Sequence, residues 1–137
     1  MDSESALKLY SINVDYSHKV LDAGFSVDEA ELAMMRIVRL VRDYPEVRAN
    51  FLIGVEAVLA LTEPSHADNG LPPVELIELI AHELQLHTVA ALADLRIRTR
   101  FHGNSSLAIG DLAGRIFEAM RPDWPDRIFY KTYQRGS

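Results

Sequence analysis

Residues 26–61 read SVDEAELAMMRIVRLVRDYPEVRANFLIGVEAVLAL, and the reading of this stretch decides the fold. Ala30, Ala33, Met34, Ile37, Val38, Val41 and Tyr44 recur at three- and four-residue spacing, the period of one helix face. Arg36, Arg39 and Arg42 share the other side. Ser26 followed by Glu29 has the form of a capping box: the Ser oxygen takes an orphan N–H, the Glu reaches back to the Ser N–H, and Phe25 stands where a hydrophobic staple would. Asp43-Tyr44-Pro45-Glu46 ends this helix and opens the next, because proline is tolerated in a first helical turn. The next helix runs to about Leu61 and is almost wholly apolar from Phe51 on, which predicts burial on all sides.

Upstream, Leu9, Ile12, Tyr16 and Val20 fit a helical stripe, and Gly24 is placed to close that helix in the left-handed conformation, with Phe25 folding back on Val20. The expectation is a helix over about 6–23 behind frayed residues 1–5. Tyr10, Ile12, Val14 and Tyr16 also alternate with polar residues, the period of a strand. Downstream, residues 62–73 hold Pro, Asn-Gly and Pro-Pro and form the longest loop. A helix follows from Pro73 to about Leu95, bent near His87-Thr88. Residues 95–102 alternate again, as a helix end or an edge strand. Ser105 or Ser106 caps a helix carrying Leu107, Ile109, Leu112, Ile116, Phe117 and Met120, and a last short helix bears Ile128, Phe129, Tyr130 and Tyr133. The expected class is mainly all-α, one compact domain of five to six helices over residues 1–137. The alternative is α+β, with short strands near 10–16 and 95–101.

Apolar residues make up 48% of the 137 residues and charged residues 25%, which suits a globule and excludes disorder for the bulk of the chain. With no cysteine, a disulfide scaffold and a thiolate metal site are both excluded. No run approaches the length of a membrane span, and the opening MDSESALK is too acidic and polar for a secretory or transit signal, so a cytoplasmic address is expected. The net charge of −6 argues against duplex nucleic acid, whose binding is mostly phosphate neutralisation.

The charge distribution carries more. No Lys or Arg occurs between Arg48 and Arg96, while seven acids do: Glu56, Glu63, Asp68, Glu75, Glu78, Glu83 and Asp94. Read as function, this span is an acidic docking face for a basic protein, chiefly through Asp68, Glu75, Glu78 and Glu83. Read as structure, it is a solvated face neutralised by Arg36, Arg39 and Arg42.

Chemistry-bearing constellations are weak. His82-Glu83 with His87 resembles a zinc motif in composition, but the histidines are five apart, about 140° round a helix, so they do not share a metal. No cofactor or metal is expected. Glu75, Glu78 and His82 fall on one stripe opposite Leu76, Ile77, Ile80 and Leu84, which predicts a solvated face; Glu83 and His87 predict a hydrogen-bonded pair at the core edge. Glu56 lies among Leu52, Ile53, Leu59 and Ala60, a setting costly for a lone carboxylate, so a buried pair with Arg36 is expected; His87 is the third candidate buried polar group. Arg96, Arg98 and Arg100 form a short basic strip beside Phe101.

Three functions compete. The leading one is a non-enzymatic binding protein, of inhibitor or toxin-neutralising type, that docks a basic partner. The second is a small-molecule or metal-assisted enzyme using the carboxylates and His of residues 75–94. The third is a nucleic-acid module using Arg96–Arg100.

Overall fold

The computed structural model describes residues 1–66 and 70–134, and these are helical with no strand. Six α-helices follow in order: α1 Ser3–Asp22, α2 Val27–Asp43, α3 Pro45–Leu59, α4 Val74–Leu84, α5 His87–Arg100 and α6 Leu112–Ala119. Short 3-10 turns lie at Pro64–His66, Ser105–Ala108, Pro125–Phe129 and Lys131–Tyr133. The all-α class of five to six helices is therefore the observed one.

Both alternating stretches are helix. In α1 the buried residues are Ala6, Tyr10, Asn13, Val14 and Ser17, so the 3.6-residue period wins and leaves Ile12 and Tyr16 exposed. Residues 3–5 belong to α1 rather than to a frayed end, because the Asp2 carboxylate accepts the Ser5 N–H at 2.7 Å. Gly24, at φ +91°, ends the helix as expected: its N–H bonds the Leu21 carbonyl, and the Phe25 N–H bonds the Val20 carbonyl.

The capping box at Ser26 does not form. The Ser26 hydroxyl donates to the Asp28 carboxylate instead of accepting a backbone N–H. Asp28 and Glu29 still favour the start of α2 by complementing its dipole. At the far end Arg48 donates to the carbonyls of Val41 and Arg42, at 3.1 and 2.7 Å, and so satisfies groups that α2 leaves without helical partners.

Helix α3 is not buried all round. Val47, Phe51, Gly54, Val55 and Val58 face inward, while Ile53 is 70% exposed and Glu56 and Ala60 lie outward. The buried helix is α4, where every residue from Leu76 to Ala81 is covered, with α2 on one side and α6 on another. Residues 73–95 are two helices rather than one bent one. Gln85 takes the left-handed conformation at φ 51°, and its side-chain amide donates to the carbonyls of His82 and Met120. Neither Ser105 nor Ser106 starts α6; Asn104 caps the 3-10 turn there, and Asp111 caps α6 by accepting the Ala113 N–H at 3.0 Å.

The last described segment is fastened back onto the bundle. Glu31 in α2 accepts the N–H groups of Lys131 and Thr132 and the Thr132 hydroxyl, at 2.7, 3.1 and 2.8 Å. Trp124 and Tyr130 are buried by this return, whereas Phe129 stays exposed.

Candidate functional site

Of the acids expected on a docking stripe, Asp68 lies outside the described residues, and Glu78 and Glu83 are engaged inside the fold. Glu78 is 3% exposed and receives both arms of the Arg115 guanidinium, at 3.2 and 2.7 Å. The solvated Glu75–Glu78–His82 face is thus corrected, and the reason is the sequence's second half: α6 and the 120–134 return cover it. His82 stacks on Trp124 at 4.9 Å and meets the edge of Tyr133 at 5.4 Å, and its Nδ1 bonds the Ala119 carbonyl at 2.6 Å. Glu83 accepts the Tyr133 hydroxyl rather than pairing with His87. Glu75 is half-buried.

The three candidate buried polar groups are corrected too. Glu56, Arg36 and His87 are all exposed, so no buried Glu56–Arg36 pair exists. The core stripe of α3 passes through residues 47, 51, 55 and 58, which turns residue 56 to the outside. His87 is the first residue of α5, at the surface.

Burial pushes the Glu78 carboxyl up to about 7, against the charge and hydrogen bonds of Arg115; Asp126 and Glu75 add to the rise. Burial wins because the Arg115 side chain, 36% exposed, keeps much of its own field in water. A folded-state value above the ordinary 4.5 means that the folded chain holds a proton that the unfolded chain has released. Stability from this group is full below pH 4.5 and falls as the pH rises through about 7, by roughly 3 kcal/mol in all. Urea midpoints should fall across that window, and Glu78→Gln should flatten the fall. A parent and variant with parallel pH profiles would contradict this assignment.

The basic strip is also taken apart. Arg96 is 4% exposed and points inward. It donates to the carbonyls of Leu59 and Leu61, both at 2.6 Å, and grips the Asp111 carboxylate at 2.8 and 2.9 Å. One buried guanidinium thereby satisfies the C-terminal carbonyls of α3 and holds the cap of α6. Burial pushes the Asp111 carboxyl up, but the Arg96 hydrogen bonds, the Ala113 N–H and the nearby guanidinium charges outweigh it and hold it below the usual carboxylate range. Arg100 donates to the Ala60 carbonyl, and Arg98 pairs with Asp94 on the surface.

These polar groups are consumed by the architecture, and the concave surface lies elsewhere. A cleft of about 680 Å³ runs between α5, the Ser105–Ala108 turn and α6. Ile97, Ile109 and Phe117 give it an apolar wall; Asp94 on α5 and Glu118 on α6 contribute carboxylates, and Ser105, Ser106 and Arg121 also reach it. Ile109 is 70% exposed, and Leu107 and Phe117 are exposed beside it. Gly114 lets the turn lie directly on α6: a Cβ there would stand 2.2 Å from the Ala108 carbonyl oxygen. His102 and Gly103 both have positive φ, which reverses the chain out of α5 into this turn.

Sequence reading placed Leu107, Ile109 and Phe117 on one helix capped by Ser105 or Ser106. The signal against it was Gly110-Asp111, a glycine followed by a good N-cap. Among the described residues no three His, Asp or Glu side chains gather as a metal ion requires, and no helix is long and apolar enough to cross a membrane. Comparison with known proteins finds no matching family model, no curated relative and no similar solved structure.

Proposed function

We propose that this chain is a non-catalytic binding module that docks an apolar, basic segment of a partner protein in the cleft between α5 and α6. The observation that carries the reading is the coincidence of two exposed apolar side chains, Ile109 and Phe117, with two carboxylates, Asp94 and Glu118, around the α5–α6 cleft. Exposed apolar groups gathered at a concavity, rather than scattered, are the mark of a recognition surface. The carboxylates favour a cationic partner; Asp94 has only an exposed i,i+4 pair with Arg98 to give up, which costs little. An inhibitor or toxin-neutralising role is the physiological form that fits an acidic module of this size. A binding reading is favoured over a catalytic one because Glu78, His82 and Glu83 are taken up inside the fold by the Arg115 guanidinium, the Ala119 carbonyl and the Tyr133 hydroxyl.

The test is titration of a short amphipathic helical peptide of Leu and Lys, and of its Leu and Glu counterpart, into isotope-labelled protein. The Lys peptide should shift the amides of Ile97, Ile109 and Phe117 in a saturable, salt-sensitive way. Ile109→Asp and Glu118→Lys should each weaken binding at least tenfold while leaving the melting temperature unchanged. Lys-peptide shifts that spare these three amides, or equal movement of these three amides by both peptides, would reject the cleft as the docking site.

A further inference from the structure

A second concave surface lies on the opposite chemistry. Met1, Leu9 and Asn13 on the side of α1 and Arg36, Arg39, Leu40, Asp43 and Tyr44 on the side of α2 enclose a groove of about 420 Å³. Its floor is apolar: Leu40 is buried and Tyr44 half-buried, while Leu9 is 40% exposed. Ile12 and Tyr16, also exposed, extend the Leu9 stripe along α1 at positions i, i+3 and i+7.

The arginines make the groove unusual. The chain carries 20 acids against 14 Lys and Arg, so a surface cation has carboxylates to spare. Among the described residues, however, neither Arg36 nor Arg39 makes a hydrogen bond or ion pair. The one carboxylate in the groove, Asp43, is already held by Arg42 through two hydrogen bonds, at 2.8 and 3.2 Å, and Arg39 acts on it through space. Two guanidiniums without a hydrogen bond or ion pair thus border an apolar floor.

We infer that the α1–α2 groove is a docking site for an acidic amphipathic helix of a partner protein. Arg36 and Arg39 are three residues apart, so they stand about 4.5 Å apart along the α2 axis, close to the rise between acids one turn apart on a partner helix. The α1 side of the groove reaches from Met1, just before the helix start, to Asn13, and Ser3 to Asn13 alone rises about 15 Å, close to three helical turns. The partner's apolar face would lie on Leu9, Leu40 and Tyr44, and its carboxylates would take bidentate hydrogen bonds from the two guanidiniums. This site is independent of the α5–α6 cleft, has the opposite sign and takes the opposite peptide. A module with both would hold two partners at once.

The probes are a three-turn Leu/Glu helical peptide with acids at i and i+3, and its Leu/Lys counterpart, each titrated into labelled protein with the amides of Leu9, Asn13 and Leu40 as the readout. The Glu peptide should move these amides and saturate. Arg36→Glu/Arg39→Glu should weaken it at least tenfold, keep the parent melting temperature, and gain binding of the Lys peptide at the same amides. Movement of the three amides by the Lys peptide in the parent, or no loss in the double variant, would overturn the proposal. Two further arms oppose other occupants. Sedimentation of the protein alone should show no self-association that the double variant abolishes; if it does, a second copy fills the groove. Fatty-acid micelles should not displace the Glu peptide; if they do, the site is for a lipid anion. Because the readout amides lie on α1 and α2, failure here leaves the cleft result standing, and the reverse.

Discussion

Arg96→Ala is expected to be the most damaging single truncation of a charged side chain, costing about 4 kcal/mol and lowering the melting temperature by roughly 15 °C. The guanidinium is 4% exposed and serves two clients at once. Its removal strands the Asp111 carboxylate and leaves the carbonyls of Leu59 and Leu61 without donors at the end of α3. Arg96→Lys should recover only part of the loss, because an ammonium cannot bridge a carboxylate and two carbonyls with a planar fork. Arg98→Ala, two residues along, is the internal control. Its pair with Asp94 is exposed on both sides and should be worth less than about 0.5 kcal/mol. If thermal denaturation shows Arg96→Ala to be no worse than Arg98→Ala, the buried network is not what joins α3 to α6.

Gly114→Ala should destabilise by about 2–3 kcal/mol, and its sign makes it decisive. Replacing a helical glycine by alanine ordinarily stabilises, by about 1 kcal/mol. Here the added Cβ would stand 2.2 Å from the Ala108 oxygen, 2.9 Å from its carbon and 3.2 Å from the Ile109 Cα. All three are backbone atoms, which cannot rotate aside as a side chain would. The Ser105–Ala108 turn must then lift off α6, carrying Ile109 with it, so the cleft should lose peptide affinity together with stability. Gly110→Ala, where nothing lies within 4 Å, should do neither. Stabilisation by Gly114→Ala in urea melts would show that the turn has room to move and is not seated on α6.

The helices were legible because their signals are local: the Pro45 start, the Gly24 stop and the periodicity of residues 30–44 need no knowledge of neighbours. What failed was the environment of single polar residues. In sequence Glu56 lies among apolar neighbours at helical spacing, whereas Glu78 shares a polar stripe with Glu75 and His82, and the structure reverses both expectations. Glu56 is exposed because α3 has an outer face; Glu78 is buried because α6 and the 120–134 return cover α4 from a distance in sequence. Periodicity gives the phase of an apolar stripe but not how many sides of the helix the rest of the chain covers. Glu31 was missed for the same reason. It sits between Val27 and Met34 on the inward stripe of α2, yet its three donors come from residues 131 and 132. The acid-rich, Arg-free span misled in the same way, since the cations that answer it, Arg115 above all, lie after it.

The Glu31 clasp has a consequence for the order in which the chain can assemble. Its hydrogen bonds join residues 100 and 101 apart. Closing a loop of that length costs about 2 kcal/mol more than closing one of ten residues, a small thermodynamic difference. The kinetic difference is larger, because the loop must be closed before any of its three hydrogen bonds returns free energy. The α1–α2 hairpin, joined by four residues, carries no such burden. The clasp therefore belongs to the downhill side of the folding barrier: it contributes little to how fast the bundle forms and much to how slowly it comes apart.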